Sequence, residues 1–234
     1  MLEIENLHAW YGTSHILHGI SLHVRPGEIL ALIGRNGAGK TTTMKTVMGL
    51  IPKTRGRVTF LGTSLLELPA HARFGLGLAY VPEDRRIVPG LTVRENLRLG
   101  LLQAPKTIHE GAAIDEIAET FPRLRERLNQ IAITMSGGEQ QMLAIARAMI
   151  GKPKLILLDE PSEGIMPVLV EEMGELFRNL RASGVTLLLV EQNVEWALNL
   201  ADRATIIDQG EVVHESSAAA LMADKDIQDR YCAV

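Results

Sequence analysis

Cysteine is nearly absent from this chain of 234 residues: Cys232 stands alone. One thiol excludes an internal disulfide and points to a reducing compartment. With no His/Asn partner pattern around it, Cys232 reads as a spare tail residue. Aromatics make up only 4%, so Leu, Ile, Val, Ala and Met must fill the core. No apolar run approaches the roughly 18–20 residues of a membrane helix. The opening MLEIENLHAW lacks the basic-then-apolar pattern of a secretion signal. A cytoplasmic chain is expected, one that would work at a membrane only by docking onto another protein's membrane segments. Positive charge is not in surplus, with Lys+Arg 24 against Asp+Glu 28 and a net charge of −4. That argues against a nucleic-acid partner. The seven histidines (His8, His15, His18, His23, His71, His109 and His214) show no ligand-like cluster with acids or cysteine. His15 and His18 are expected on a turn and a strand. There is no internal repeat and no low-complexity segment.

What is present is a chain with 46% hydrophobic and 22% charged residues, enough to bury a core as one domain or a domain with a subdomain. Leu2 to Val24 alternates polar and apolar residues and predicts antiparallel strands. Glu28–Ile33 and Leu78–Val81 are short apolar runs of the buried-strand type. A helix is expected from Lys40 to Leu50, stopping at Ile51-Pro52. RGRVTFLG reads as a strand and LPAHARFGLG as a short helix. From Thr92 to about Ile150 the pattern is mostly helical. Thr92 to Glu95 forms a capping-box start, Ile114, Ile117, Ala118 and Phe121 make one apolar face, and Gln140–Ile150 is a second strong helix. Strands return at Leu155–Leu158 and Val185–Val190, around a helix at Val168–Arg181, the strand–helix–strand sign of a parallel α/β sheet. The tail predicts a hairpin and one final helix, Ala218–Tyr231. One domain, 1–234, is expected, with a core of about 1–83 and 147–234 and a helical subdomain of about 84–146.

Gly34-Arg35-Asn36-Gly37-Ala38-Gly39-Lys40-Thr41 fits the phosphate-loop pattern G-x-x-x-x-G-K-[ST], between a buried strand and a helix. Glycines let backbone N–H groups wrap a polyphosphate, and the following helix aims its positive end at the same anion. Lys40 suits the β/γ-phosphates and Thr41 a Mg²⁺ ion. LILLDEP places Asp159 and Glu160 at the C-terminal end of an apolar strand, the edge where parallel sheets bind ligands. Asp159 would hold the Mg²⁺ water shell and Glu160 would orient or deprotonate the attacking water. Ser136-Gly137-Gly138-Glu139, opening a helix, is a second and smaller anion site.

These motifs, in this order, resemble the ATP-binding subunits of ABC transporters over essentially the whole chain. The resemblance implies an α/β fold: a P-loop NTPase (RecA-like) parallel-sheet core, an N-terminal antiparallel β subdomain and an inserted α-helical subdomain. It implies an ATPase with ATP and Mg²⁺ as cofactors. The implied ATP-binding residues are Tyr11, stacking on adenine, with Gly34, Arg35, Asn36, Gly37, Ala38, Gly39, Lys40, Thr41 and Thr42. Ser136, Gly137, Gly138 and Glu139 would close the ATP site of a partner subunit, and Glu163-Gly164 would cross the interface of a head-to-tail dimer. The chain departs from the family at three places. Met135 and Glu139 flank Ser-Gly-Gly in place of Leu and Gln. Glu83, a third Mg²⁺ residue beside Thr41 and Asp159, replaces a Gln. Gln192, assigned with Glu160 to catalysis, replaces a His that contacts the γ-phosphate. A Gln donates a hydrogen bond but carries no positive charge.

VPEDRRIVPGLTVRENL, SGGEQQMLAIARAM, LLLVEQN and DIQDRYCAV are similar to one of the two ATPase subunits of branched-chain (hydrophobic) amino acid importers. This implies a second ATP-binding subunit in a heterodimer, two membrane permease subunits, and indirectly a periplasmic solute-binding protein. The chain would sit peripherally on the cytoplasmic face of the inner membrane. Arg85 and Arg86 would meet a permease or remain a solvated charge run. The rival readings are a urea or amide importer, a lipopolysaccharide-type exporter and a non-transport ABC ATPase.

Overall fold

The computed structural model describes residues 1–102, 104, 105 and 107–232. Its first half runs β1 (Leu2–Tyr11), β2 (Ser14–Val24), β3 (Ile29–Ile33), α1 (Lys40–Val47), β4 (Lys53–Phe60), β5 (Thr63–Ser64), α2 (Ala70–Gly75), β6 (Leu78–Val81), α3 (Val93–Leu99), α4 (Glu110–Thr120) and α5 (Pro122–Arg125). After a short 3-10 turn at Ala132–Thr134 come α6 (Gly137–Met149), β7 (Leu155–Asp159), α7 (Pro167–Ala182), β8 (Thr186–Val190), α8 (Val194–Leu200), β9 (Arg203–Asp208), β10 (Glu211–Ser217), α9 (Ala218–Ala223) and α10 (Lys225–Tyr231).

Two sheets form. One is antiparallel, in the order β2-β1-β4-β5; the other has the order β10-β9-β3-β8-β7-β6. In the second, β9, β3, β8, β7 and β6 pair parallel and β10 closes the edge antiparallel. The apolar runs explain this. Every residue of β3, β7 and β8 is buried, as parallel strands covered on both faces must be. Their side chains alternate between two cores. Ile29, Ala31 and Ile33 face one core, shared with the helices α3–α8. Leu30 and Leu32 face the other, shared with α1 and the antiparallel sheet. On β1 only alternate positions are buried, which matches its polar–apolar alternation and one solvated face. The architecture is the mixed α/β one expected, with helices α3–α6 falling between β6 and β7.

Three expectations shift. Helix α1 ends at Val47, three residues before Leu50. Gly49 turns to φ 75°, and Arg73 caps the helix by donating Nη1 to the carbonyls of Thr46 (2.9 Å) and Val47 (2.6 Å). A Cβ on Gly49 would lie 2.7 Å from the Arg73 guanidinium carbon. The tail is two helices rather than one. Asp224 leaves helical geometry, and its side chain accepts from Ile227 N–H to start α10. His15 lies on β2 with His18 rather than on a turn, and it packs against His8 and Trp10.

Candidate active site

The phosphate-loop segment leaves the buried end of β3 and enters α1. Gly34 has φ 146°, and a Cβ there would fall 2.0 Å from the Ile207 carbonyl oxygen. No other residue fits that close backbone approach. Gly39 is the N-cap of α1 in a left-handed conformation, with no side-chain cap. Among the described residues, the N–H groups of Lys40, Thr41 and Thr42 meet no acceptor. A row of unpaired donors at a helix N-terminus is a fit for an anionic polyphosphate. Lys40 is buried and donates Nζ to the carbonyls of Gly34 (2.8 Å) and Arg35 (3.1 Å). Burial pushes its pKa down, against the opposing pull of Glu160 and Asp159. A phosphate would offer this ammonium a better partner than two carbonyl dipoles.

The facing wall is the end of β7. Asp159 is buried and accepts two hydrogen bonds, from Thr41 Oγ1 on Oδ1 (2.9 Å) and from the Tyr80 hydroxyl on Oδ2 (2.9 Å). Burial pushes its carboxyl up, and the Thr41 and Tyr80 bonds pull it back. Thr41 and Asp159, predicted together as metal residues, are thus brought together as hard oxygen donors suited to Mg²⁺.

Glu160 sits one residue beyond the strand at φ 49°, a left-handed conformation costing about 1–3 kcal/mol for a non-glycine. Its carboxylate lies 3.9 Å from Lys40 Nζ and accepts from Gln192 Nε2. The two residues assigned to catalysis are therefore in direct contact. Glu83 falls into a different set: oxygens of Glu83, Glu160 and Glu163 lie within 4.8 Å of one another. A hydrogen bond to Glu160 is the main cause that raises the Glu163 carboxyl.

The Ser136–Glu139 segment opens α6 as a capping box. Ser136 Oγ accepts from Glu139 N–H (3.3 Å), and Glu139 accepts from Ser136 N–H (2.9 Å). The Ser136 backbone N–H is the first cause that holds the Glu139 carboxyl below its usual range. Arg127 also sits 3.1 Å from Glu139. The unexpected Glu in this motif thus caps its own helix. Gly138 has no room for a side chain, since a Cβ would lie 2.2 Å from Leu169 Cδ1. Among the described residues no hydrogen bond or ion pair joins this segment to the Lys40 loop.

Several residues beside the site escaped the sequence reading. Tyr80 was visible only as the one polar side chain in the run LAYV. Buried Glu191 accepts from Ser162 N–H (3.0 Å) and so holds the turn after Glu160. Arg85 is not a freely solvated charge: its guanidinium donates to Gln141 Oε1 (3.2 Å) and would meet a Cβ on Gly137 at 3.1 Å. Arg147 holds the Arg85 and Arg86 carbonyls, at 2.7 Å each. Cys232 is not a loose tail residue. It packs on the helix-side core, burial raises its thiol, and Lys40 and Arg35 act in the opposite direction. Arg35 donates to the Arg230 carbonyl at 3.1 Å. Tyr11 stands exposed at the end of β1, on the turn into β2.

Comparison with known proteins accords with this geometry. Residues 17–163 match the family model described as ABC transporter. The chain is 44% identical to the high-affinity branched-chain amino acid transport ATP-binding protein BraG of Pseudomonas aeruginosa, with 99% of each chain covered. It is 34% identical to the lipopolysaccharide export system ATP-binding protein LptB of Haemophilus influenzae, covering 99% of this chain and 96% of that one. Among solved structures, an ATP-binding cassette of an ABC transporter in its ADP conformation superposes with a TM-score of 0.84 at 25% identity, covering 98% and 97% of the two chains. A phosphate loop, a facing Asp-Glu strand end and a separate Ser-Gly-Gly helix start, joined to a family match over most of the chain, have one reading: this chain belongs to the ABC transporter family, as an ATP-binding and ATP-hydrolysing subunit.

Proposed function

We propose that this chain energises the import of branched-chain or other hydrophobic amino acids. As an ABC ATPase subunit it works with membrane permeases and dimerises. The finer reading is a head-to-tail heterodimer beneath two permeases, on the cytoplasmic face of the inner membrane, fed by a periplasmic solute-binding protein. The observation that carries the solute class is the full-length likeness to BraG at 44% identity, against 34% for the lipopolysaccharide-export relative.

In this reading Tyr11 supports the adenine, the Gly34–Thr42 backbone cradles the phosphates, and Lys40 turns from its loop carbonyls to the terminal phosphate. Thr41 and Asp159 would hold Mg²⁺, which supplies charge neutralisation on the phosphate oxygens. Glu160 orients the attacking water and takes its proton. Gln192 keeps Glu160 in place by its hydrogen bond. The Ser136–Glu139 helix start, unconnected to this chain's own loop, is presented to the nucleotide of the partner subunit. ATP bound between the two half-sites holds the dimer closed, and hydrolysis releases it.

The test is Glu160→Gln, which keeps an acceptor for Gln192 and removes the base. Tagged variant, solubilised from membranes with ATP and Mg²⁺, should recover two permeases and a second ATP-binding subunit. Cells lacking the chain should lose leucine uptake and keep urea uptake. Recovery of the chain alone, or unchanged leucine uptake, would sink the proposal.

A further inference from the structure

The search outside the nucleotide site leads to the solvated face of the antiparallel sheet. Cross-strand pairing sets His8 opposite His18 and Trp10 opposite His15. All four side chains share the face turned away from Leu7, Ala9 and Leu17, which are buried. Register shifts between Ile4 and Leu7, between Leu7 and His8, and between Ala9 and Trp10 aim them together, as β-bulges do. Trp10, His15 and His8 stack, with ring centroids 4.3 Å apart for Trp10 and His15 and 5.2 Å for His8 and His15, and His18 lies tilted against His15 at 4.1 Å.

Within the stack, Nδ1 of His8 and Nε2 of His15 stand 3.1 Å apart. The other nitrogen of His8, Nε2, donates to Asn6 Oδ1 at 3.2 Å. That bond fixes the His8 tautomer and leaves Nδ1 to accept the His15 Nε2–H, a proton that must move to the far ring nitrogen or to solvent when a cation binds. Asn6 is placed for this by φ 46° and by the missing side chain at Gly19, where a Cβ would come within 2.9 Å of Oδ1. An imidazole whose far N–H is held by an oxygen acceptor is the usual arrangement of a metal-bound histidine.

We propose that His8 and His15 form a two-imidazole site for a divalent transition-metal cation of the Zn²⁺, Ni²⁺ or Cu²⁺ class. Metal–nitrogen bonds of about 2.0–2.1 Å spanning 3.1 Å subtend an angle of about 100°, between the octahedral and tetrahedral values. Imidazole nitrogens select these metals over Mg²⁺ and Ca²⁺, so the site is chemically separate from the oxygen-lined Thr41–Asp159 pair. Water completes the coordination. A bound cation would tie β1 to β2 directly behind the turn that presents Tyr11.

Trp10, stacked on His15, is the built-in reporter. Tag-free full-length chain is titrated with NiCl₂ without nucleotide, and tryptophan emission is followed. Saturable quenching reversed by EDTA is expected, together with a rise in Tm on adding the metal. His8→Gln and His15→Gln should each weaken binding about tenfold or more, and Asn6→Asp should tighten it, because a carboxylate behind His8 makes the ligand more basic. His23→Gln, on the same strand outside the stack, should bind as wild type. Circular dichroism melts without metal check that each variant is folded. Equal midpoints for wild type, His8→Gln and His15→Gln would overturn the proposal, as would a loss in His23→Gln matching that in His15→Gln.

Discussion

Removing one oxygen, in Tyr80→Phe, tests how Asp159 is prepared for a metal ion. The Tyr80 hydroxyl donates to Asp159 Oδ2 at 2.9 Å, and burial with the Asp159 charge raises its own pKa far above normal. It therefore stays a donor at every working pH. Asp159 is almost fully buried, so no water replaces the lost bond easily. A hydrogen bond to a charged group contributes about 1.5–3 kcal/mol, or about 10- to 150-fold in an equilibrium constant. The Tyr80 bond pulls down a carboxyl that burial already raises, so its loss raises Asp159 further. Protonated Asp159 cannot hold a cation, and the variant should need more Mg²⁺, by up to about 10- to 150-fold, with a larger deficit at pH 6 than at pH 8. The stability effect runs the other way. Tyr80 favours the ionised form, so the loss of Tm should be larger at high pH and shrink as Asp159 protonates. Mg²⁺-dependent ADP binding by calorimetry reads the first effect without turnover, and thermal melts read the second. An unchanged Mg²⁺ midpoint at both pH values would refute the reasoning.

Other substitutions probe the supports of the two half-sites. Glu139→Gln keeps an acceptor for the Ser136 N–H but loses the charge and the Arg127 pair. A depressed carboxyl stabilises above its unfolded pKa and loses that contribution as pH falls through its folded value. Wild type should therefore exceed the variant by less than about 1 kcal/mol at pH 7, and the gap should close under acid, as read by urea melts. Arg73→Met leaves the buried Val47 carbonyl and the half-buried Leu68 carbonyl without their donor, and Thr46 with the Gly49 N–H alone, costing about 3 kcal/mol and roughly 6–12 °C of Tm. Gly138→Ala overpacks Leu169 by about 1–3 kcal/mol, and in a Leu169→Ala background the same change should cost much less, the coupling being read by a double-mutant cycle.

The phosphate loop and the Asp-Glu strand end were legible because a short contiguous segment carries each, and because apolar runs such as ILALI and LILLD fix the strands that position them. The alternation of β1 gave its solvated face directly. What was not legible lies in contacts between distant segments. Arg73 looks like a surface residue of a short helix, yet it closes a helix more than twenty positions earlier, and that capping ended α1 before Leu50. His8, His15 and His18 show no cluster in the sequence because strand register, shifted three times along the β1–β2 pair, decides which of them meet. Ser136 and Glu139 did carry a readable signal, the S-x-x-E spacing of a capping box, and a capped helix start and an anion site are both readings of that segment.

The same two readings of Glu139 bear on how the subunit works. A Glu at the third helical position satisfies the helix N-terminus from within, and its charge lies where an anion from a partner subunit would approach. Ser136 and the glycines remain to offer donors, so the half-site given to the partner is held rigid by its box but is less positive than one with Gln. At the chain's own loop the change has the same sign. Gln192 supplies a hydrogen bond to Glu160 where an imidazole could have supplied charge, and Glu83 and Glu163 crowd further carboxylates onto Glu160. Both half-sites thus move toward negative charge, which disfavours a triphosphate between two copies of this chain. In the proposed heterodimer, a partner with His in place of Gln192 and Gln in place of Glu139 would relieve each site by one change, which is why we propose an unequal pair.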